Sequence, residues 1–158
     1  MDFFSYLQTA RVESVGFRPP ESVGSDATVA EVIDIMQSRR VGCILVVSSE
    51  RVLEGIFTER DLMRKVLSHQ GDAEFGDPIA KVMTKDPVTV REDETLAVLF
   101  RRMYEGGFRH MPLLDRAGRL LGTVSIKRVV SFLADQFPET VYNLPPEPEK
   151  FGAAREGA

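Results

Sequence analysis

The sequence predicts an α/β (α+β) fold made of two β-α-β-β-α copies, and three observations carry the prediction. Residues 55–61 (Gly, Ile, Phe, Thr, Glu, Arg, Asp) read as an apolar strand running into a helix, and the layout returns at residues 122–128 (Gly, Thr, Val, Ser, Ile, Lys, Arg). Identical residues then keep one register without a gap: Pro20/Pro87, Val23/Val90, Asp26/Asp93, Thr28/Thr95, Ala30/Ala97, Met36/Met103, Leu53/Leu120 and Gly55/Gly122 all stand 67 residues apart. Within each copy the hydrophobic period also changes in the same order, from extended to helical, through two short apolar runs, and back to helical.

Taken along the chain, residues 1–17 form an N-terminal extension in which Phe3, Phe4 and Leu7 suggest a short amphipathic helix docking on the body or on a second subunit. The first copy spans 18–68. A short extended piece at 21–23 precedes Thr28, which stands at an N-cap position and forms a capping box with Glu31. Val29, Val32, Ile33 and Met36 give that helix a stripe that must face a core, and Gly42 is expected to end or follow it. Strands at 43–47 and 52–58 follow, joined by a polar turn, and Leu62, Met63, Val66 and Leu67 mark a closing helix.

The second copy, 82–137, repeats this plan. Thr95 is the cap, and Leu96, Leu99, Phe100 and Met103 form the stripe, with Gly106 and Gly107 behind it. Strands at 110–114 and 119–125 lead into a helix at 129–137 that Pro138 stops. Gly71, Gly76 and Pro78 mark 69–81 as a linker, and Pro145, Pro146, Pro148, Gly152 and Gly157 make 138–158 a tail with little to pack.

Composition narrows the function classes. At 158 residues, 43% hydrophobic and 28% charged, the chain reads as soluble globular material. No apolar run reaches the roughly 18 residues of a membrane span, and no secretory leader is recognisable. A net charge of −4 argues against nucleic acid and anionic lipid as partners. Arg39, Arg40, Arg101 and Arg102 read as the wet faces of two helices. The sole cysteine, Cys43, lies in an apolar run and is expected as a core thiol, which with the missing leader points to a cytoplasmic protein. Two histidines 41 residues apart, His69 and His110, offer neither metal-ligand nor nucleophile–base spacing, and there is no Gly-rich phosphate loop, so an enzyme and a metal site are not expected.

Two copies with this order, each with a glycine, an apolar pair, a Ser/Thr and a three-residue step into the final helix, resemble a tandem pair of CBS (cystathionine β-synthase) domains over about residues 20–137. Met83, Thr84 and Pro87 resemble the segment that opens such a repeat. The resemblance implies two repeats packed about a pseudo-twofold axis, clefts for adenosine compounds, a homodimer, and a regulatory role. In nucleotide-binding members the Ser/Thr and Asp of this motif hold the ribose, here Thr58 and Asp61. An ionised carboxylate can accept from both hydroxyls of a cis-diol.

Family geometry would bring Arg109, His110 and Lys127 of the second copy to the phosphate. This is similar to a nucleotide-occupied cleft in the gamma subunit of AMP-activated protein kinase. Ile56 would wall the adenine and Thr84 would contribute from the opening segment. Each has a plainer reading: Arg109 and Lys127 as solvated charges, His110 as a half-buried strand residue, and Thr58 with Asp61 as a local capping box. In the related position Ser125 keeps the hydroxyl, but Arg128 replaces the carboxylate and offers no acceptor to a ribose, so one nucleotide per chain is expected. No cofactor is required. The expected ligand is AMP, ADP or ATP, with S-adenosylmethionine or NAD also compatible, in an energy-sensing module that signals to an effector protein in trans. The alternative is a ligand-independent dimerisation scaffold.

Overall fold

In each copy the apolar hairpin forms the bulk of a sheet, because its strands are too hydrophobic to stand alone in water. The computed structural model describes residues 1–68 and 71–142. The chain divides into two units, one of residues 19–88 and one of residues 1–18 together with those from 89 onward.

The contiguous unit holds a four-stranded sheet in the order β1 (Ser22–Val23), β2 (Cys43–Val47), β3 (Leu53–Thr58), β4 (Thr84–Lys85). β1 runs parallel to β2, and the β2–β3 and β3–β4 pairs are antiparallel. The β2–β3 register sets Cys43 opposite Thr58, and Ser48 N–H donates to the Val52 carbonyl at the turn, as the polar link predicts. Helix α2 (Val29–Arg39) starts from the full Thr28/Glu31 capping box. It buries Val29, Val32 and Met36 with Ile44, Val46 and Phe57. A single α-helical turn, α3 (Glu59–Asp61), follows β3.

The discontinuous unit carries β5 (Val90–Arg91), β6 (His110–Leu114) and β7 (Leu120–Ser125) in that order, with α4 (Leu96–Gly106) and α5 (Ile126–Gln136). Its core joins Leu96, Leu99, Met103, Met111, Leu113, Val124, Val129 and Leu133. The N-terminal helix α1 (Phe3–Thr9) docks on the body of this unit: Phe3 and Tyr6 meet Phe137 at ring-centroid distances of 5.5 and 5.1 Å. Pro138 does end α5, yet it also opens a short helix α6 (Pro138–Tyr142), since its fixed φ suits a first helical position.

Two short segments complete the cores in parallel fashion. A 3-10 turn at Ile79–Lys81 buries Ile79 and Val82 in the contiguous unit, and one at Val12–Val15 buries Val12 and Val15 in the other. Both turns lie against the start of a helix through matching backbone bonds. Val29 N–H donates to the Asp77 carbonyl and Ile79 N–H to Ala27; Leu96 N–H donates to Ala10 and Val12 N–H to Glu94. Residues at the end of the stretch read as a linker are therefore a fixed part of a core.

The first copy differs from the second at the end of α2 and departs from the sequence reading in its closing helix. Gly42 follows α2, but its C-cap is Arg40, with φ 54° and ψ 49°, whereas α4 ends at Gly107 with φ 67°. A side chain pays steric strain in that left-handed region, so Arg40→Gly is expected to stabilise the protein by about 1 kcal/mol in urea unfolding. The closing helix is also not regular: after α3 the chain winds through Leu62–Val66 as a π-helix, with Leu67 N–H donating to the Leu62 carbonyl at 3.0 Å. The counterpart α5 is a regular helix of 11 residues.

Candidate functional site

The motif at the end of β3 is built outward from the sheet. β3 lies between β2 and β4, which places Ile56 opposite both Leu45 and Thr84 and leaves it 7% exposed. Thr58 ends the strand with extended backbone and becomes the N-cap of α3. Its neighbour across β2 is Cys43, and the Gly42 carbonyl accepts the N–H of Glu59.

Asp61 is the one buried charged residue among the described residues, 7% exposed. Its two carboxylate oxygens have different partners. Oδ2 accepts from the Thr58 N–H at 2.9 Å and the Thr58 hydroxyl at 3.2 Å, and the Asp61 N–H returns a bond to Thr58 Oγ1 at 3.3 Å. Oδ1 accepts from the Lys65 ammonium at 3.0 Å and from the Thr84 hydroxyl at 3.4 Å. Lys65 Nζ donates in addition to the Val82 carbonyl at 2.8 Å. One oxygen thus caps the helix turn, while the other bonds only to side chains, one of them from β4.

The structure brings Ile56, Thr58, Asp61 and Thr84 together in the contiguous unit. Arg109, His110 and Lys127 belong to the other unit, at its own strand–helix junction. His110 opens β6 opposite Ser125, Arg109 accepts the Ile126 N–H at 2.8 Å, and Lys127 is exposed in the first turn of α5. At that junction the Arg128 N–H donates to Ser125 Oγ at 3.1 Å, so the cap persists without a carboxylate. The Arg128 guanidinium lies beside Gly16, where a Cβ would stand 3.5 Å from it.

Lys65 is the residue that sequence reasoning missed. The available signal was its spacing: an acid followed four residues later by a lysine is a favoured helical pair. Among the described residues no group of His, Cys, Asp and Glu is arranged to hold a metal ion, and no helix is long and apolar enough to cross a membrane.

Two repeats of one strand–helix plan, each with a capped turn after its central hairpin, define a tandem-repeat module of the CBS type. The CBS domain family matches residues 12–68 and again 79–135, and the chain belongs to that family. Both matches begin at the buried first residue of a 3-10 turn. An uncharacterised 17.7 kDa protein of Acidianus ambivalens is 34% identical over 113 residues, which is 72% of this chain and 66% of that one. The chain spans only 19% of CBS domain-containing protein CBSCBSPB5 of Arabidopsis thaliana, with 35% identity over 107 residues, or 68% of this chain. Among solved structures, a CBS-domain containing protein of Agrobacterium tumefaciens is 31% identical with a TM-score of 0.70, covering 78% of this chain and 99% of that one. A CBS domain protein of Pyrobaculum aerophilum complexed with AMP shares the fold at 23% identity and TM-score 0.69, over 84% and 95% of the two chains.

Proposed function

We propose that this chain is a regulatory module that binds an adenosine-containing nucleotide through Asp61. The observation that supports this reading is the division of labour in that carboxylate. Capping uses only Oδ2, so Oδ1 can exchange its side-chain donors for the hydroxyls of a ribose without unmaking the helix start. The two readings of the Thr58/Asp61 pair are then compatible. In this proposal Ile56 walls the adenine, Thr58 and Thr84 flank the sugar, and Arg109, His110 and Lys127 serve the phosphate. The AMP complex of the Pyrobaculum fold neighbour makes AMP the first ligand to try, with ADP, ATP, NAD and S-adenosylmethionine beside it. The bound state would be read by a partner protein, and a homodimer is the proposed assembly.

Calorimetric titration tests this. Wild type is expected to bind one adenosyl ligand per chain, and Asp61→Asn to weaken binding by about a hundredfold or more, because charge-assisted bonds of roughly 1.5–3 kcal/mol each are lost from the diol. A second reading, a dimerisation scaffold indifferent to ligand, is favoured by the complete capping box and by Met63 and Leu67, which stand 63% and 55% exposed one turn apart. Absence of binding by all five ligands would leave that scaffold as the better account.

A further inference from the structure

Beyond the ribose contact itself, we propose that Lys65 is a latch. It fastens the segment 82–85 to the turn that carries Asp61, and it competes with the ligand for Asp61 Oδ1. The competition rests on the ligand reading above; the fastening does not.

A carboxylate has about four acceptor positions, and the four on Asp61 are filled by Thr58 N–H, Thr58 hydroxyl, Lys65 and Thr84. A diol that brings two O–H donors must therefore displace two of these. The Thr58 pair is locked by sequence proximity and by the cap, and its departure would unwind the turn. The Thr84 bond, at 3.4 Å, is the longest of the set, and Lys65 sits on a flexible stem with its side chain 40% exposed. These two are the donors that can leave.

Their departure has a consequence away from Asp61. Lys65 holds the Val82 carbonyl with the same ammonium, and Val82 is itself buried at 3% exposure just ahead of β4. While Lys65 bridges Asp61 and Val82, the π-wound turn and the 82–85 segment are tied at one charged group. When a ligand takes Oδ1, the bridge loses its anionic end, and a lone bond from a mobile lysine to a carbonyl is easily lost to water. Binding and fastening are thus linked, and each must weaken the other by the same factor. Lys65 acts here as a positioning residue, and the moving part is the segment that completes the sheet edge.

The test uses the full chain with Lys65→Met and Lys65→Arg beside wild type, in two measurements. In the first, amide hydrogen exchange without ligand, Lys65→Met is expected to speed exchange at the amides of Met83 and Asp86 by about tenfold. These amides donate to the Ile79 and Glu54 carbonyls. Lys65→Arg, which keeps charge and reach, is expected to stay near wild type. Equal exchange in wild type and Lys65→Met overturns the latch. In the second, AMP titration, Lys65→Met is expected to bind about five- to tenfold more tightly than wild type. Equal or weaker binding overturns the competition. If AMP binds neither protein, the comparison is repeated with ADP, ATP, NAD and S-adenosylmethionine; binding of none of the five to either protein removes the nucleotide reading and the competition with it, while the exchange result still decides the fastening.

Discussion

Replacing Ile79 by alanine is expected to lower stability by about 2–5 kcal/mol, the usual range for deleting a fully buried branched side chain. Ile79 has no exposed surface and packs with Val29, Val32, Ile44, Phe57 and Val82, so the cavity would open at the centre of the contiguous unit. The surrounding backbone is poorly placed to collapse into it, because Ile79 N–H is bonded to Ala27 at 2.7 Å and its carbonyl takes the N–H groups of Val82 and Met83. Phe75→Ala is the control from the same stretch: that ring is 53% exposed, and its loss is expected to change stability by no more than about 0.5 kcal/mol. Urea unfolding of the two variants compares them directly. Equal effects would mean that the 79–82 segment is not part of the core.

Gly122→Ala is the second large effect, expected at about 2–4 kcal/mol. A Cβ there would collide with the Arg18 carbonyl oxygen and come within 2.8 Å of the Phe17 ring. The obstacle is backbone, and that backbone is bonded in both directions, Arg18 N–H to the Thr123 carbonyl and Thr123 N–H to the Arg18 carbonyl, each at 3.1 Å. Relief requires the 16–18 segment to lift, which adds two hydrogen bonds of about 1 kcal/mol each to an overpacking cost of about 1–3 kcal/mol. The equivalent Gly55→Ala should be milder, since its nearest obstacle is the flexible side chain of Met83 and the Thr84 carbonyl stands at 3.0 Å. Thermal melts of both variants give the order, and Gly55→Ala proving the worse would refute the close-crossing account.

The same glycines mark what the sequence could and could not disclose. Both were visible as a repeated identity, but their reason was not, because the obstacle at each is a segment about 30 or 100 residues distant in the chain. The hairpins and the amphipathic helices were legible since their periods run for five residues or more. The core turns were not: Val12 with Val15, and Ile79 with Val82, bury two apolar side chains apiece within a stretch of four residues, too short to show a period. At the site, Thr58 and Asp61 were legible through their capping-box spacing, and Thr84 through its place in the opening segment. Lys65 stands four residues after Asp61, but a basic residue at that spacing fits a solvated helix face equally well, so the sequence alone does not single it out as the partner of the carboxylate. The π-wound turn had no sequence mark, as the spacing of Leu62, Val66 and Leu67 suits either winding.

The unequal continuity of the two units bears on how the chain reaches this state. Residues 19–88 carry everything their core needs, so that unit can close as soon as Lys85 has emerged from a ribosome. The other cannot: Val12 and Val15 are made first, yet the strands that cover them, His110–Leu114 and Leu120–Ser125, are made about 100 residues later. Closing so long a loop is slow in the manner of other non-local topologies. Until those strands are made, Val12 and Val15 have no partner to cover them, so the discontinuous half depends on a contact that the contiguous half does not need.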